Sequence, residues 1–168
     1  TGVQTCALPI YQNLEQEVAD KTRDLAAKNY TLETLYAFSD LLSRSQSAAE
    51  AAEGFLDKVM DIVPADAGSI RLIDFQRRRM DLIAHRGLPD ELQNAEACRR
   101  LEECSCGTAA QQSGQTVNFY KTVPSEHRVS EALCSRSGYH FLRVFKISSG
   151  GADLGLMTLY FKNESDNR

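Results

Sequence analysis

Between Tyr11 and about Leu42 the chain is polar, rich in helix formers and free of glycine and proline. Its seam positions recur in alternating steps of four and three: Val18, Thr22, Leu25, Asn29, Leu32 and Tyr36. That spacing predicts one long helix with the heptad seam of a two-stranded coiled coil, in which Leu14 falls out of step as a stutter. Thr22 and Asn29 weaken such a seam, but a buried Asn pairs best with the same Asn of another chain and so sets register. The expected partner is a second copy, giving a parallel homodimer. The alternative is a stripe that packs back on its own domain.

After the break at Ser43 to Ser47 the apolar period continues as a second helix, Ala48 to about Val63. Ser47 and Glu50 form a capping box at its start, Phe55, Val59, Ile62 and Val63 form its apolar face, and Pro64 ends it. The period then changes to two. Ala67 to Asp74 and Met80 to His85 read as strands around a turn at Gln76 to Arg79, and Gly87-Leu-Pro89-Asp stops the pattern. Glu91 to Leu101 reads as a short helix and Thr108 to Ser113 as another, ended by Gly114. Thr116 to Tyr120 is a strand, Lys121 to Glu126 a loop, and Val129 to Ser137 a helix closed by Gly138. Phe141 to Ile147 and Leu154 to Lys162 are the last two strands, joined by Ser148 to Asp153, whose glycines suit a hairpin. In the final strand Met157, Leu159 and Phe161 alternate with Thr158 and Tyr160, predicting one buried face. The order predicts an α+β fold with one antiparallel sheet flanked by helices.

Composition narrows the classes. The 168 residues are 42% hydrophobic and 25% charged, enough for one core plus an extended element. No apolar run approaches the roughly 20 residues of a membrane span, so no membrane contact is expected of these residues. A net charge of -4, with Lys and Arg scattered among Asp and Glu, argues against a nucleic-acid surface, and Arg77-Arg78-Arg79 reads as a solvated turn. The first ten residues, Thr1 to Ile10, look like the translation of a common sequencing adapter and are set aside as a probable artefact, which removes Cys6. The expected division is 1–10 artefact, 11–46 coiled-coil helix, 47–163 globular domain and 164–168 the tail of a truncated chain.

Four cysteines remain: Cys98, Cys104, Cys106 and Cys134. Their spacing matches neither a zinc finger nor a ferredoxin. Four thiolates are nonetheless the usual complement of an all-thiolate zinc site or an iron–sulfur cluster, and Gly107 would let the backbone approach a sulfide. A helix starting just after Cys106-Gly107 would favour thiolate there, aided by Arg99 and Arg100. A redox dithiol among Cys104, Cys106 and Cys134, or four unligated core thiols, are the other readings. His85, His127 and His140 sit at no catalytic spacing, and no phosphate loop, ATP lid or phosphoacceptor motif appears, so no catalytic residue is assigned.

With Ala65-Asp-Ala-Gly-Ser-Ile-Arg-Leu72 before the first turn and Gly155-Leu-Met-Thr-Leu159 at the close, this order of elements resembles a GAF domain. Leu14 to Tyr36 is similar to the helix that follows the HAMP domain in NarX-type nitrate/nitrite sensor histidine kinases. Leu82-Ile-Ala-His-Arg-Gly-Leu-Pro89 and Glu103-Cys-Ser-Cys-Gly107 are similar to the cysteine-bearing central GAF module of that family. The resemblance implies a cytoplasmic sensory module of an inner-membrane protein, with a downstream kinase domain and a response regulator as partners. It also implies oxygen or redox sensing through an iron–sulfur cluster on the four cysteines, by analogy with other GAF kinases. The periplasmic region that senses nitrate in that family is not represented, so nitrate binding is not implied. The alternatives are a GAF-type free methionine sulfoxide reductase or a GAF domain that binds another small ligand.

Overall fold

A computed structural model describes residues 7–103, 105–111, 118–121 and 129–163. The chain divides into two compact units, Thr1–Arg44 and Ser45–Arg168.

The first unit is one helix, α1 (Ala7–Arg44), of 38 residues and about 57 Å long. It begins before the expected start at Tyr11 and runs to Arg44, because nothing from Ala7 onward breaks it except Pro9, which falls in the first turn where its missing N–H is not needed. Neighbouring turns are laced by Lys21–Glu17 at 2.6 Å and Arg44–Asp40 at 2.9 Å, exposed pairs each contributing about 0.3–0.5 kcal/mol.

The second unit opens with α2 (Ala48–Ile62). Ser47 Oγ accepts the Glu50 amide at 3.1 Å, while the Glu50 carboxylate accepts the amide of Gln46 at 2.7 Å, so the capping exchange reaches one residue further back than a standard box. There follow β1 (Ala67–Asp74), β2 (Arg79–Arg86), α3 (Asp90–Glu96), β3 (Cys98–Arg100), a 3-10 turn (Leu101–Glu103) and α4 (Ser105–Gln111). The unit closes with β4 (Asn118–Lys121), α5 (Val129–Arg136), β5 (Phe141–Ser149) and β6 (Ala152–Phe161). The six strands form one sheet in the order β3-β2-β1-β6-β5-β4, and every pair is antiparallel. Gly150 and Gly151, at φ +59° and +81°, make the β5–β6 hairpin turn that a side chain would strain.

The two-residue period sorts the strands into two cores. Ile70, Phe141, Met157, Leu159 and Phe161 face α2, where Leu56 and Ala52 meet them. Ala67, Leu142, Val144, Leu156 and Tyr160 face the other way, into a core closed by Leu92 of α3, Leu101, Cys106 and Ala110 of α4, and Cys134 of α5. The sheet is thus the middle of three layers. Arg86 ties α2 to β2, its guanidinium donating to Asp57 and Asp61 at 3.3 and 3.1 Å.

Three expectations are corrected. The helix expected over Glu91 to Leu101 ends at Glu96, and Cys98–Arg100 instead pair with Arg79–Asp81 as an edge strand, because β2 is at the rim and its open hydrogen bonds take up any extended neighbour. The helix expected from Thr108 starts at Ser105, so Cys106 and Gly107 lie inside its first turn. β6, expected to bury one face, is buried on both sides from Gly155 to Phe161, because it is a central strand covered by helices above and below. Gly114, the loop from Lys121 to Glu126 and His127 fall wholly or mainly outside the described residues.

Candidate functional site

The helix-covered face formed by β1 and β6 carries polar side chains where an ordinary core would carry none. Ser69, Arg71 and Thr158 are the buried polar or charged residues among those described, and Arg71 is 0% exposed. Ser69 and Arg71 are two apart on β1, and Thr158 and Tyr160 are two apart on β6, so all four point to the same face. Arg71 Nη1 donates to Ser69 Oγ at 3.0 Å and Nη2 to Tyr160 Oη at 3.1 Å. Ser69 Oγ and Tyr160 Oη lie 3.1 Å apart, which closes the triangle. A guanidinium keeps its charge even when buried, so its removal from water costs several kcal/mol unless hydrogen bonds offset it. The two hydroxyls are part of that compensation.

The network continues towards the helices. Thr158 Oγ1 donates to Cys106 Sγ at 3.6 Å, joining β6 to the first turn of α4. The ring of Tyr139 lies tilted against that of Tyr160, with centroids 5.4 Å apart, and Tyr139 Oη donates to the Gly87 carbonyl at 2.9 Å. Burial, with the Asp66 carboxylate and Cys134 nearby, pushes the Tyr139 phenol above its ordinary pKa, so it stays a neutral donor. Register positions the guanidinium: Ile70 faces Ala84 on β2 while Arg71 faces Leu82, leaving Ile83 as a bulge residue.

The three described cysteines do not share one environment. Cys106 on α4 and Cys134 on α5 are both buried and belong to the same core cluster. Cys98 is exposed on the edge strand β3, opposite Asp81 of β2. Its thiol hydrogen-bonds to the Asp81 carboxylate, and this contact, with some desolvation, raises its pKa above the ordinary cysteine value. A thiol held protonated is a poor nucleophile and a poor metal ligand. Cys104 lies outside the described residues. Among the described residues no group of three His, Cys, Asp or Glu side chains is gathered to hold a metal ion. Gly107 has another reason to be glycine than access to a sulfide. A Cβ there would stand 1.9 Å from the Leu101 carbonyl oxygen, so α4 packs on the preceding turn only because that carbon is absent.

Sequence reasoning missed Arg71 and its hydroxyl partners. The available signal was the pairing of polar residues at i and i+2 in two otherwise apolar strands, Ser69 with Arg71 and Thr158 with Tyr160. In a two-layer fold such residues face water. Here a helical layer covers them.

No protein-family model and no curated protein sequence matches the chain. Solved structures do. The GAF domain of a phosphoenolpyruvate-protein phosphotransferase from Acinetobacter is 19% identical, with a TM-score of 0.58 over 81% of this chain and 82% of that one. Free methionine-R-sulfoxide reductase from Neisseria meningitidis is 12% identical, with a TM-score of 0.60 over 77% and 71%. The GAF domain of a two-component sensor histidine kinase from Bacillus halodurans is 13% identical, with a TM-score of 0.51 over 66% and 74%. At such identities the likeness speaks for architecture rather than activity. The antiparallel sheet with its two helical layers has the GAF-domain fold.

Proposed function

We propose that the chain is a sensory module of a two-component sensor histidine kinase of the NarX type, in which the GAF unit receives the signal and α1 is part of the signalling rod. The observation that carries this reading is the junction itself. A 38-residue helix with an exposed heptad stripe ends at Arg44, and the capped start of the GAF unit follows at Ser47. A soluble GAF enzyme has no use for such a rod, whereas a sensor that must alter a distant kinase has. The fold is one that a sensor histidine kinase GAF domain also has. In this reading the module is the cytoplasmic part of an inner-membrane protein, and the kinase domain and a response regulator lie downstream.

The reading frame of the gene on either side of these residues tests it. A membrane-spanning segment upstream and a phosphoacceptor histidine with an ATP-binding domain downstream are expected; continuation into a phosphotransferase or a stop without a kinase would overturn it. The purified chain is expected to show no thiol-dependent turnover of free methionine sulfoxide, the reaction that a reductase of this fold would require.

Redox sensing is the finer part of this reading, and the buried thiols Cys106 and Cys134 are its support. Iron and acid-labile sulfide analysis of anaerobically purified protein, with a visible absorption spectrum, decides whether an iron–sulfur cluster is its chemistry. A colourless, iron-free sample removes the cluster and leaves the module's place in a kinase standing.

A further inference from the structure

We propose that residues 45–47 are a two-state joint, in which the capped break of this structure exchanges with a continuous helix from Ala7 to Ile62 that makes α1 and α2 one element. The inference rests on the sensory reading above, in which α1 carries the signal onward. It starts from a relation of phase. Phe38, Ser45, Ala52 and Val59 follow one another at intervals of seven, and so do Thr34, Leu41, Ala48 and Phe55. Interleaved, they give alternating steps of four and three from Thr34 to Val59, so the helical period crosses the break without a skip. Ala52, Phe55 and Val59 belong to the face that α2 packs into the sheet's core. A permanent corner has no need to keep phase, since one residue more or less in the connection would serve it equally.

Side chains, not backbone chemistry, hold the break open. Residues 45–47 read Ser-Gln-Ser, with neither glycine nor proline to forbid a helix. Ser47 is extended, at φ −142° and ψ 159°. Its Oγ accepts the Glu50 amide, and Glu50 Oε2 accepts the Gln46 amide. In a continuous helix these two amides would donate instead to the carbonyls of Gln46 and Leu42, four residues back. The amides of Ala48 and Ala49, which as first-turn groups have no acceptor within α2, would gain the carbonyls of Arg44 and Ser45. Two caps are thus exchanged for backbone hydrogen bonds, which puts the two arrangements close in free energy.

The joint decides what α2 can pass on. Leu56 and Met60 lie so close over β1 that a Cβ on Gly68 would stand 2.7 Å from Leu56 Cδ1 and 2.8 Å from Met60 Sδ. Arg86 holds Asp57 and Asp61 of the same helix. Gly68 and Ile70 face α2, while Ser69 and Arg71 alternate with them and face the buried polar cluster. One strand therefore carries both the cluster and the contact with α2. A shift of β1 reaches α2 directly; at a capped break it goes no further, and through a continuous helix it reaches α1. Whatever binds the module and prefers one arrangement shifts the population of the other.

Amide hydrogen exchange of the 168-residue chain, read residue by residue by NMR, tests the joint. Ala48→Pro fixes the break, because proline suits the first position of a helix, keeps the preceding residue extended and cannot donate to the Arg44 carbonyl. Ser47→Ala with Glu50→Ala removes both caps. The Ala49 amide is expected to exchange roughly tenfold or more slowly in the uncapped variant than in Ala48→Pro, with the parent between them, while amides in the second half of α2 stay equally protected in all three. Exchange at Ala49 that is equal in the two variants, or faster in the uncapped one, overturns the proposal. Should the uncapped variant lose protection throughout α2, the parent against Ala48→Pro decides, and equal Ala49 exchange in that pair overturns it. The measurement reads the joint alone, so its failure leaves the sensory reading to the test of the gene's reading frame.

Discussion

Arg71 and Tyr160 meet at 3.1 Å on adjacent central strands, a buried guanidinium donating to a phenol. The phenol also shares a hydrogen with Ser69 at 3.1 Å, so one oxygen serves two buried partners. Tyr160→Phe therefore removes more than it appears to, and should cost about 1–3 kcal/mol in urea denaturation. Arg71→Met, which removes the charge together with its need for partners, is expected to be the milder change. The double substitution should cost less than the sum of the single ones by about 1 kcal/mol. Strict additivity would show that the two side chains do not act as one unit.

Gly107 is where α4 and the turn at Leu101 come closest. Gly107→Ala would drive a methyl into the Leu101 carbonyl, which is backbone and cannot swing aside. The expected loss is roughly 3 kcal/mol or more, read as a lower urea midpoint with an unchanged slope. A small effect would mean that the glycine serves something other than packing.

Cys98 is exposed, and the Asp81 carboxylate beside it raises its thiol pKa above the ordinary cysteine value. In Asp81→Asn that hold weakens and the thiol pKa falls, so the thiolate fraction at pH 7.5 rises. Iodoacetamide labelling of the Cys98 peptide, timed by mass spectrometry, should accelerate accordingly. Equal rates in both proteins would remove the carboxylate as the cause.

Asp153 caps the β5–β6 hairpin by accepting from Ser148 Oγ at 2.6 Å and from Lys146 Nζ at 2.9 Å. The Ser148 hydrogen bond first, then the lysine, hold its carboxyl below the ordinary aspartate pKa. A depressed native pKa contributes stability that is present above the unfolded pKa and is lost as pH falls through the native one. Asp153→Asn should thus be less stable than the parent by about 1 kcal/mol at pH 7, with the gap closing below the carboxylate range. Denaturation at pH 7 and pH 3 checks the sign, and a gap that widens in acid contradicts it.

Ser47 starts α2 by accepting the Glu50 amide at 3.1 Å. Ser47→Ala is expected to cost about 1 kcal/mol, with the calorimetric midpoint falling to match.

Much of this architecture was legible in local pattern. The seven-residue repeat from Val18 to Tyr36 announces α1, Ser47 and Glu50 announce α2, and the strands around the Phe75–Arg78 turn and around Gly150–Gly151 were read to within a few residues. Each rests on interactions between near neighbours in the chain: a helical period, a cap, a turn that needs positive φ. The segment from Glu91 to Gln111 was misread because its conformation is settled elsewhere. Cys98–Arg100 are a strand only because the edge of β2 is open beside them.

The candidate site lies further still from local reading. Sequence by itself determined that Ser69 and Arg71 share one side of a strand and that Thr158 and Tyr160 share one side of another, since side chains alternate along any strand. It also determined the apolar stripe of α1. Only the tertiary structure decided that β1 and β6 lie side by side, that α4 and α5 roof over their polar side, and that Cys106 and Cys134 enter that core while Cys98 stays at the rim. The physical reason is that periodicity fixes direction relative to the local backbone, whereas burial depends on which distant segment arrives to exclude the water.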